Sequence, residues 1–233
     1  MITAASNPRL KLVRKLLAQR RRRDELGLFA VEGEDLVAAG QAAGLEPVEL
    51  LVAGETVAPE LLASVSTLPH AARAIAVFRS EGLPRARREV TLALWRVGDP
   101  GNVGTLLRAA DAFGAAVSLS PGSADPLAPK ALRASAGAIF RVPLVPWGAW
   151  DGRVVALAAH GGRPLHEVDL RGPAVLLLGA ERDGLPEDVV ADTGAERATI
   201  PLPGEAESLN VAVAGALALY ERARQNLLES PRV

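Results

Sequence analysis

The sequence predicts an α/β protein in which a mostly parallel sheet, covered by helices on both faces, follows a smaller N-terminal α/β unit. After residue 90, short apolar runs bounded by turn residues recur, and segments of helical periodicity separate several of them. This alternation is the pattern of a parallel sheet buried on both faces. The 233 residues are 49% hydrophobic, which is enough for a packed core in one or two domains.

The N-terminal unit is assigned to residues 1–80. Asn7 and Pro8 indicate a helix start, with a capping side chain and an early proline. Apolar residues then recur at helical spacing, namely Leu10, Val13, Leu16 and Leu17. Strand-like runs follow at 48–52 and 74–78. Together these features predict a small α/β domain.

Residues 81–89 are charged and contain Gly82 and Pro84, so they are interpreted as a linker. The second domain is assigned to residues 90–233. Its strand-like runs are 92–97, 116–119, 154–159, 174–178 and 198–202. Ligands of such sheets bind beyond the carboxyl ends of the strands.

The composition excludes several kinds of site. The chain has no cysteine, which excludes disulfides, thiolate zinc sites and a cysteine nucleophile. Its histidines, His70, His160 and His166, show no metal-ligand spacing, so no metal is expected. No signal peptide and no apolar run long enough to span a membrane are recognised, so a cytoplasmic protein is expected.

Net charge is −1, but basic residues are concentrated near the N-terminus. Residues 1–23 contain no acidic residue, and a second basic cluster lies at 79–88. Local basic patches attract phosphates even in a nearly neutral chain. The RNA-contact candidates here are Arg9, Arg20, Arg21 and Arg22. The alternative is that these residues form solvated helix faces.

Three polar, glycine-rich loops follow apolar runs. The first, 97–104, leads into a helix that carries Arg108, and it matches neither a dinucleotide fingerprint nor a P-loop. The second, 176–186, contains Gly179 and Glu181. The third, 200–211, contains two prolines and is expected to place Ser208 as the cap of the next helix, with Asn210 in its first turn. Each loop alone is also compatible with an ordinary tight turn.

Taken together, the loops resemble the three motifs of the SpoU (TrmH-like) RNA 2′-O-methyltransferases. The matching segments are DPGNVGTLLRAADAFG, LLLGAERDGL and IPLPGEAESLNVAVA. The resemblance spans about residues 90–226 and includes the segment 129–137. The N-terminal part is similar to the family's RNA-binding domain, best at residues 29–33. The Thr-Pro-Gln-Gly signature of that domain is replaced here by Leu-Pro-His-Ala at 68–71.

The resemblance implies S-adenosylmethionine as the methyl donor and a trefoil knot in the parallel-sheet domain, a SPOUT-type fold. It implies donor contacts from five residues of the second and third loops: Leu178, Gly179, Ile200, Leu202 and Leu209. It also implies a homodimer in which each site is completed by the partner.

The resemblance further implies roles for individual side chains. Arg108 would activate the 2′-hydroxyl, either as a base or, because a guanidinium normally keeps its proton, by stabilising the alkoxide or clamping a phosphate. Asn102 would order the first loop and orient Arg108, and Glu181 would bind substrate or hold Arg108. Ser208 and Asn210 would position the acceptor nucleotide. Arg133 would bind a phosphate from the facing subunit.

Two other functions remain open from the sequence. A catalytically inactive RNA-binding protein of the same fold is disfavoured by the complete set of motif side chains. A nucleotide-dependent oxidoreductase is disfavoured because the first loop lacks G-x-G-x-x-G. Among RNAs, ribosomal RNA is favoured over transfer RNA, because the N-terminal domain is similar to that of members that modify ribosomal RNA.

Overall fold

The computed structural model describes residues 1–229, which form two β-sheets. The strands of the smaller sheet are β1 (Leu28–Glu32), β2 (Glu49–Val52) and β3 (Ala74–Arg79). The sheet is antiparallel, with β3 between β1 and β2. The helices around it are α1 (Pro8–Ala18), α2 (Arg20–Leu26), α3 (Glu34–Ala42) and α4 (Pro59–Ala63).

Helix α1 begins where the sequence predicts. The Asn7 side chain accepts a hydrogen bond from the Arg9 amide at 2.9 Å, and Pro8 occupies the first turn. This cap satisfies an amide that has no partner within the helix. The apolar side chains of α1 are buried against one face of the small sheet, and they are the predicted Leu10, Val13, Leu16 and Leu17.

The larger sheet follows and has seven strands within the described residues. They are β4 (Val90–Leu94), β5 (Ala116–Leu119), β6 (Leu144–Val145), β7 (Arg153–Leu157), β8 (Arg163–Pro164), β9 (Ala174–Leu178) and β10 (Glu196–Thr199). Their order is β6-β5-β4-β9-β7-β10-β8, and every neighbouring pair is parallel. The predicted parallel sheet is therefore confirmed. The knot implied by the resemblance stays a prediction.

Three of the predicted strands end earlier than their apolar runs. The run 92–97 stops at Leu94, because Arg96 adopts a left-handed backbone with φ 48° that a strand does not accommodate. The run 154–159 stops at Leu157, and the run 198–202 is replaced by β10, which ends at Thr199. The last residues of each apolar run, which follow the end of its strand, lie in the loops at one edge of the sheet.

Helices cover the two faces of the large sheet unequally. They are α5 (Pro100–Ala112), α6 (Pro129–Ser135), α7 (Glu187–Asp192) and α8 (Val211–Glu229). Helix α8 packs closely over α5 and β9, since a Cβ atom at Gly215 would lie 2.8 Å from the Leu178 side chain and closer still to Leu106. The opposite face packs against α7 and three tryptophans. In the described residues no helix has the length and apolar character needed to cross a membrane.

One hydrophobic core joins the two sheets. Phe29 and Phe78, from the small sheet, pack against Phe140 of the segment after α6, with ring centroids 6.0, 6.2 and 5.7 Å apart. The predicted linker also belongs to the packed structure, since Leu83 is buried and the Pro84 carbonyl accepts a hydrogen bond from Leu144. The division into residues 1–80 and 90–233 remains a prediction from the sequence, and the two parts share their interior.

A buried ion pair connects α2 to the segment that follows β5. The guanidinium of Arg23 lies 2.6 Å from the Asp125 carboxylate, with side chains only 5% and 10% exposed, and it also donates to the Leu16 carbonyl. Arg20 donates to the Ser123 carbonyl at 2.9 Å. The basic run at 20–23 is therefore not a free arm, because its last arginine is buried as a structural contact.

Candidate active site

The ends of four parallel strands bring the three polar loops together. In the sheet register, Leu94 of β4 lies opposite Leu178 of β9, which lies opposite Leu157 of β7. Leu157 in turn lies opposite Ala198 of β10. Because these strands are parallel and end at the same level, the loops that follow them share one edge of the sheet.

The second loop is a tight hairpin. Ala180 and Gly184 exchange two backbone hydrogen bonds of 3.0 Å, so residues 181–183 form its tip. Gly184 adopts φ 65°, which suits glycine. A Cβ atom at Gly179 would lie 2.6 Å from the Leu185 amide nitrogen and even closer to the backbone of Gly184. Only glycine therefore fits at position 179 without displacing the hairpin.

The carboxylate of Glu181 holds the first loop against the second. It accepts hydrogen bonds of 3.0 Å from the amides of Gly98 and Asp99, and one of 3.0 Å from the side chain of Asn102. Partial burial on its own would raise the pKa of Glu181. The hydrogen bonds from Asn102, Gly98 and Asp99 outweigh burial and lower that pKa, because they stabilise the ionised form. Glu181 is therefore a carboxylate that orders the loop.

Replacing Glu181 with glutamine tests this function. We expect Glu181→Gln to lower the free energy of unfolding by about 0.5–1 kcal/mol at pH 7, a small value because the site is solvent-exposed. Since the folded pKa is lowered, the stabilisation is present above the unfolded pKa of a glutamate and is lost as the pH falls through the folded pKa. Urea denaturation at a series of pH values from 7 downward measures the difference between variant and wild type.

The matched control is Glu205→Gln, because Glu205 is exposed in the third loop. The control should unfold like the wild type at every pH. A difference between Glu181→Gln and wild type that stays constant or grows on acidification would contradict the assigned ionisation.

A chain of amide hydrogen bonds joins all three loops. Asn102 donates to Glu181, and its side-chain oxygen accepts a hydrogen bond of 3.1 Å from Asn210. Asn210 in turn accepts hydrogen bonds from the Ala212 and Val213 amides at 2.9 and 3.3 Å. The expectation that Ser208 caps α8 is therefore wrong, because Asn210 is the cap. Ser208 lies exposed in the loop before it.

The start of α5 is fixed by a second cap. The Asp99 carboxylate accepts hydrogen bonds from the amides of Gly101 and Asn102, and it forms an ion pair of 2.7 Å with Lys130 of α6. The pKa of Asp99 is lowered, first by Lys130 and then by these amides. At Gly104, a Cβ atom would lie 2.5 Å from Ala134, so glycine permits α6 to cross α5 closely. These contacts set the position of Asn102.

A cleft of about 540 Å³ opens between the second loop, the third loop and the start of α8. All five residues predicted to contact a donor line it, namely Leu178, Gly179, Ile200, Leu202 and Leu209. Glu181, Ser208 and Asn210 line it as well, while Asn102 reaches it through its bonds to Glu181 and Asn210. A small-molecule site usually has this size and this mixture of apolar walls and a few polar groups.

Among the residues that the structure describes, no cluster of side chains suitable for a metal ion is present.

Comparison with known proteins assigns the family. Residues 89–220, more than half of the chain, match the SpoU rRNA Methylase family. The chain belongs to this family. A relative in Bacillus subtilis (strain 168), the 23S rRNA (guanosine(2553)-2′-O)-methyltransferase RlmP, is 31% identical over 94% of this chain and 97% of its own. The 23S rRNA (guanosine-2′-O-)-methyltransferase RlmB of Xanthomonas axonopodis pv. citri is 37% identical over 67% of this chain and 68% of its own.

Two solved methyltransferase structures share the whole fold. The AdoMet-bound rRNA methyltransferase of Sinorhizobium meliloti is 30% identical, with a TM-score of 0.84 over 96% of this chain and 97% of that one. The SpoU methyltransferase AviRb of Streptomyces viridochromogenes, in complex with AdoMet, is 26% identical, with a TM-score of 0.85 over 97% and 100% of the two chains. The similarity therefore includes the N-terminal sheet as well as the parallel one.

Arg108 lies apart from the other motif residues of this SpoU-family chain. It is exposed on α5 and does not line the cleft. Among residues 1–229 it has no hydrogen-bond or ion-pair partner. Within one chain Asn102 and Glu181 bond to each other and to the loops and not to Arg108, so their predicted roles in orienting and holding Arg108 stay predictions.

The predicted RNA-contact arginines all have partners within the chain. Arg9 pairs with Glu49, and Arg21 and Arg22 pair with Glu25. These partners are solvent-accessible, so the pairs can exchange for phosphate at small cost. In contrast, three neighbouring basic residues of α1 are exposed and unpaired within residues 1–229: Lys11, Arg14 and Lys15.

Arg133 faces the N-terminal sheet. Its guanidinium donates to the Thr67 hydroxyl at 3.2 Å and lies 3.7 Å from the buried carboxylate of Glu32. Glu32 also accepts hydrogen bonds from Ser66 and from the Thr67 amide. In this structure Arg133 therefore connects α6 to β1, and its predicted phosphate contact would have to use the exposed remainder of its side chain.

The sequence interpretation missed one wall of the cleft. Leu157, the last residue of β7, and residues 158–160 after it line the cleft together with Val211 and Ala214 of α8. A signal was available, because His160-Gly161-Gly162 is a fourth polar, glycine-rich loop after an apolar run. A Cβ atom at Gly162 would lie 2.8 Å from the backbone of Ala198, so this loop runs directly against β10.

Proposed function

We propose that this chain transfers a methyl group from S-adenosylmethionine to a ribose 2′-hydroxyl of RNA, with ribosomal RNA as the substrate class. The observation that carries the proposal is the hydrogen-bonded path from Glu181 through Asn102 to Asn210, which joins the three family motifs beside the cleft. Membership of the SpoU rRNA methylase family supports the reaction type. The relatives named as 23S rRNA 2′-O-methyltransferases support the choice of RNA.

The cleft suits the donor in size and lining. Apolar side chains of Leu178, Ile200 and Leu209 offer a surface for adenine, and Ser208 and Asn210 add polar groups to the lining. The missing side chain at Gly179 lets the hairpin fold back closely on β9, which shapes this wall of the cleft. When bound, S-adenosylmethionine supplies a methyl group activated by its sulfonium. The ribose 2′-oxygen would take this methyl group as the S–C bond breaks, and the hydroxyl proton would leave to solvent.

The chain's own residues must position the acceptor and stabilise its developing charge. Ser208 and Asn210 are proposed to contact the acceptor nucleotide, because both line the cleft at the end of the third loop. Asn102 and Glu181 are proposed to hold the first and third loops in position beside the acceptor nucleotide. Arg108 is proposed to stabilise the 2′-alkoxide or clamp the adjoining phosphate, since a guanidinium normally remains protonated.

The position of Arg108 supports a site built from two chains. Arg108 lies outside the cleft of its own chain, so a second copy is proposed to bring its Arg108 to this cleft. Helix α8 offers a surface for that partner, because Val213, Leu217 and Tyr220 lie at helical spacing and are 47%, 40% and 56% exposed. An exposed apolar strip of this kind is typical of an interface. We therefore propose a homodimer. We also propose that the protein acts in the cytoplasm.

Transfer of labelled methyl groups tests the function. The chain is incubated with labelled S-adenosylmethionine and with ribosomal or transfer RNA lacking its own modifications, and nucleosides are then separated by mass spectrometry. Label in a 2′-O-methylnucleoside of ribosomal RNA is the expected result. Donor binding without transfer to either RNA would contradict the proposed substrates, and absence of donor binding would favour an inactive RNA-binding protein.

The basic N-terminal surface makes a separate prediction about RNA affinity. Deleting residues 1–23 would remove the core of α1, so substitution is the better test. We expect Arg20→Gln, Arg21→Gln and Arg22→Gln, combined, to weaken RNA binding and to reduce the slope of log K against log salt by about one unit for each phosphate that the variant no longer neutralises. Filter binding at several salt concentrations measures the slope.

The matched control for that variant replaces three arginines of the second basic cluster, Arg85, Arg87 and Arg88, by glutamine. It has the same charge change at a different place. If both variants reduce the slope equally, the effect is not specific to the α2 arginines, because the second basic cluster also attracts phosphates. An unchanged slope for the α2 variant would contradict their contact with RNA.

A further inference from the structure

All three tryptophans of the chain lie in one cluster, although they are far apart in sequence. Trp95 follows β4 directly, and Trp147 and Trp150 follow β6. The ring centroids of Trp95 and Trp147 are 5.6 Å apart, and those of Trp147 and Trp150 are 4.8 Å apart in an edge-to-face arrangement. Each ring is only partly buried. The three indole rings therefore pack against the core and leave part of their surface accessible at one end of the sheet.

Arg96 is held over this cluster. Its guanidinium carbon lies 5.3 Å from the centroid of the Trp95 ring, within cation–π range. Its backbone amide donates to the Ser120 hydroxyl at 2.9 Å and its φ is 48°, a left-handed conformation that disfavours an L side chain. Trp95, Trp147, Trp150 and Arg96 are called the tryptophan platform below. A strained residue next to a functional loop suggests a role for its side chain.

The charge of Arg96 has no counterion within residues 1–229, and its side chain is exposed. Two other cations near this edge are paired, since Arg23 lies against Asp125 and Lys130 against Asp99. The platform therefore presents a free positive charge together with aromatic faces. This combination suits an anionic ligand that also has flat rings.

The platform adjoins the proposed active site. The Trp95 amide donates to the Leu178 carbonyl at 2.8 Å, and Leu178 lines the cleft. Gly98, two residues after Arg96, donates to Glu181. Leu185 of the second loop packs in the same apolar cluster as the three tryptophans. The second loop lies between the two, because residues 179–182 line the cleft and Leu185 packs in the tryptophan cluster, so a strand of RNA that crosses this loop can place a nearby nucleotide at the platform.

We propose that the tryptophan platform is a stacking site for an unpaired base of the substrate RNA, next to the nucleotide that is methylated. The inference rests on the proposed function for the identity of the RNA. Bases of single-stranded RNA stack on aromatic rings and on guanidinium planes, and their phosphates are attracted by the positive charge of Arg96. The competing explanation is that the tryptophans only cover the apolar face of the sheet beside α7.

Intrinsic fluorescence tests the platform directly, because every tryptophan of the chain belongs to it. The full chain is titrated with oligoadenylate of about ten nucleotides, a length within the usual range for single-strand sites. An abasic oligonucleotide of equal length and charge serves as the second probe. We expect the oligoadenylate to quench tryptophan emission and the abasic probe to leave it unchanged. Binding of oligoadenylate, detected by anisotropy of an end label, without quenching would overturn the proposal.

The variant Arg96→Gly removes the side chain without straining the backbone, since glycine suits the left-handed φ. We expect it to keep the unfolding midpoint and to weaken oligoadenylate binding by about five- to one-hundred-fold, the range for removal of one stacking partner. The matched control is Ala136→Gly, at an exposed residue with the same φ of 48°. Equal binding by wild type, Arg96→Gly and Ala136→Gly would overturn the proposal.

Methyl transfer separates this inference from the proposed function. If both hold, Arg96→Gly raises KM for ribosomal RNA, while kcat and the affinity for S-adenosylmethionine stay at the values of Ala136→Gly. Should the wild type transfer no methyl group and still show base-dependent quenching that Arg96→Gly abolishes, the proposed function fails and the stacking site stands. A wild type that is active, together with an unchanged KM in Arg96→Gly, overturns the stacking site alone.

Discussion

Replacing Arg108 by alanine is expected to lower kcat by about 10²–10³-fold, the usual reduction when one charge-stabilising donor is removed from an active site. Arg108 makes no hydrogen bond or ion pair within its own chain in residues 1–229, so its removal should leave the fold and the donor cleft intact. Affinity for S-adenosylmethionine should therefore stay at the wild-type value. Steady-state methyl transfer and equilibrium donor binding measure the two effects separately.

Arg141→Ala is the matched control for Arg108→Ala. Arg141 forms an exposed ion pair with Asp111 of helix α5, the helix that carries Arg108, and such surface pairs contribute little to stability. The control should retain kcat. Near-normal kcat and RNA affinity in Arg108→Ala would contradict both the stabilisation of the alkoxide and the phosphate clamp.

Replacing Gly179 by alanine is expected to abolish most donor binding. A methyl group at this position would lie 2.6 Å from the Leu185 amide nitrogen and closer still to Gly184, so the hairpin of the second loop must move. Overpacking of this kind costs about 1–3 kcal/mol. If the added methyl group raises the free energy of the donor-bound protein by this amount and leaves that of the free protein unchanged, affinity for S-adenosylmethionine decreases by about 5- to 150-fold. Calorimetric titration with the donor measures it.

Gly204→Ala is the control for the added methyl group, because a Cβ atom there meets nothing within 4 Å. It lies in the third loop and should bind the donor like the wild type. If Gly179→Ala also binds normally, the hairpin adapts without cost and the assigned importance of the close approach is wrong.

Mixing the two inactive variants tests whether a site takes residues from two chains. In a mixed dimer of Arg108→Ala with Gly179→Ala, one of the two sites would have an intact cleft and an intact Arg108 if Arg108 acts across the interface. Random exchange would then restore about a quarter of wild-type activity, since about half of the dimers are mixed. No recovery on mixing, with exchange demonstrated by size and label, would place Arg108 at the cleft of its own chain.

Much of the donor cleft could be predicted from the sequence. The apolar runs at 116–119 and 174–178 are strands with the same bounds in the structure, because continuous apolar sequence is what a parallel strand buried on both faces requires. The residues assigned to donor contact line one cleft, because parallel strands carry the loops after them to the same edge. Local composition was enough to find these loops.

Predictions about side-chain partners were less successful. Ser208 was expected to cap α8, but two suitable capping residues stand close together and only the path of the third loop selects Asn210. Arg108 was expected to meet Asn102 and Glu181; six residues along a helix from Asn102 place it on another face of α5, so that contact is not made within one chain and stays a prediction. The basic run at 20–23 looked uniform in sequence, yet packing against Asp125 buries Arg23 alone.

The sequence by itself determined the fold class, the order of the three loops and the family, because periodicity, glycine and proline positions and short motifs are local properties of the chain. Only the tertiary structure decided which distant groups meet. It joins Asn102 to Asn210, which are 108 residues apart, and it gathers Trp95 with Trp147 and Trp150. Such contacts depend on sheet register and helix packing, which act between segments and leave no periodic signal in either one.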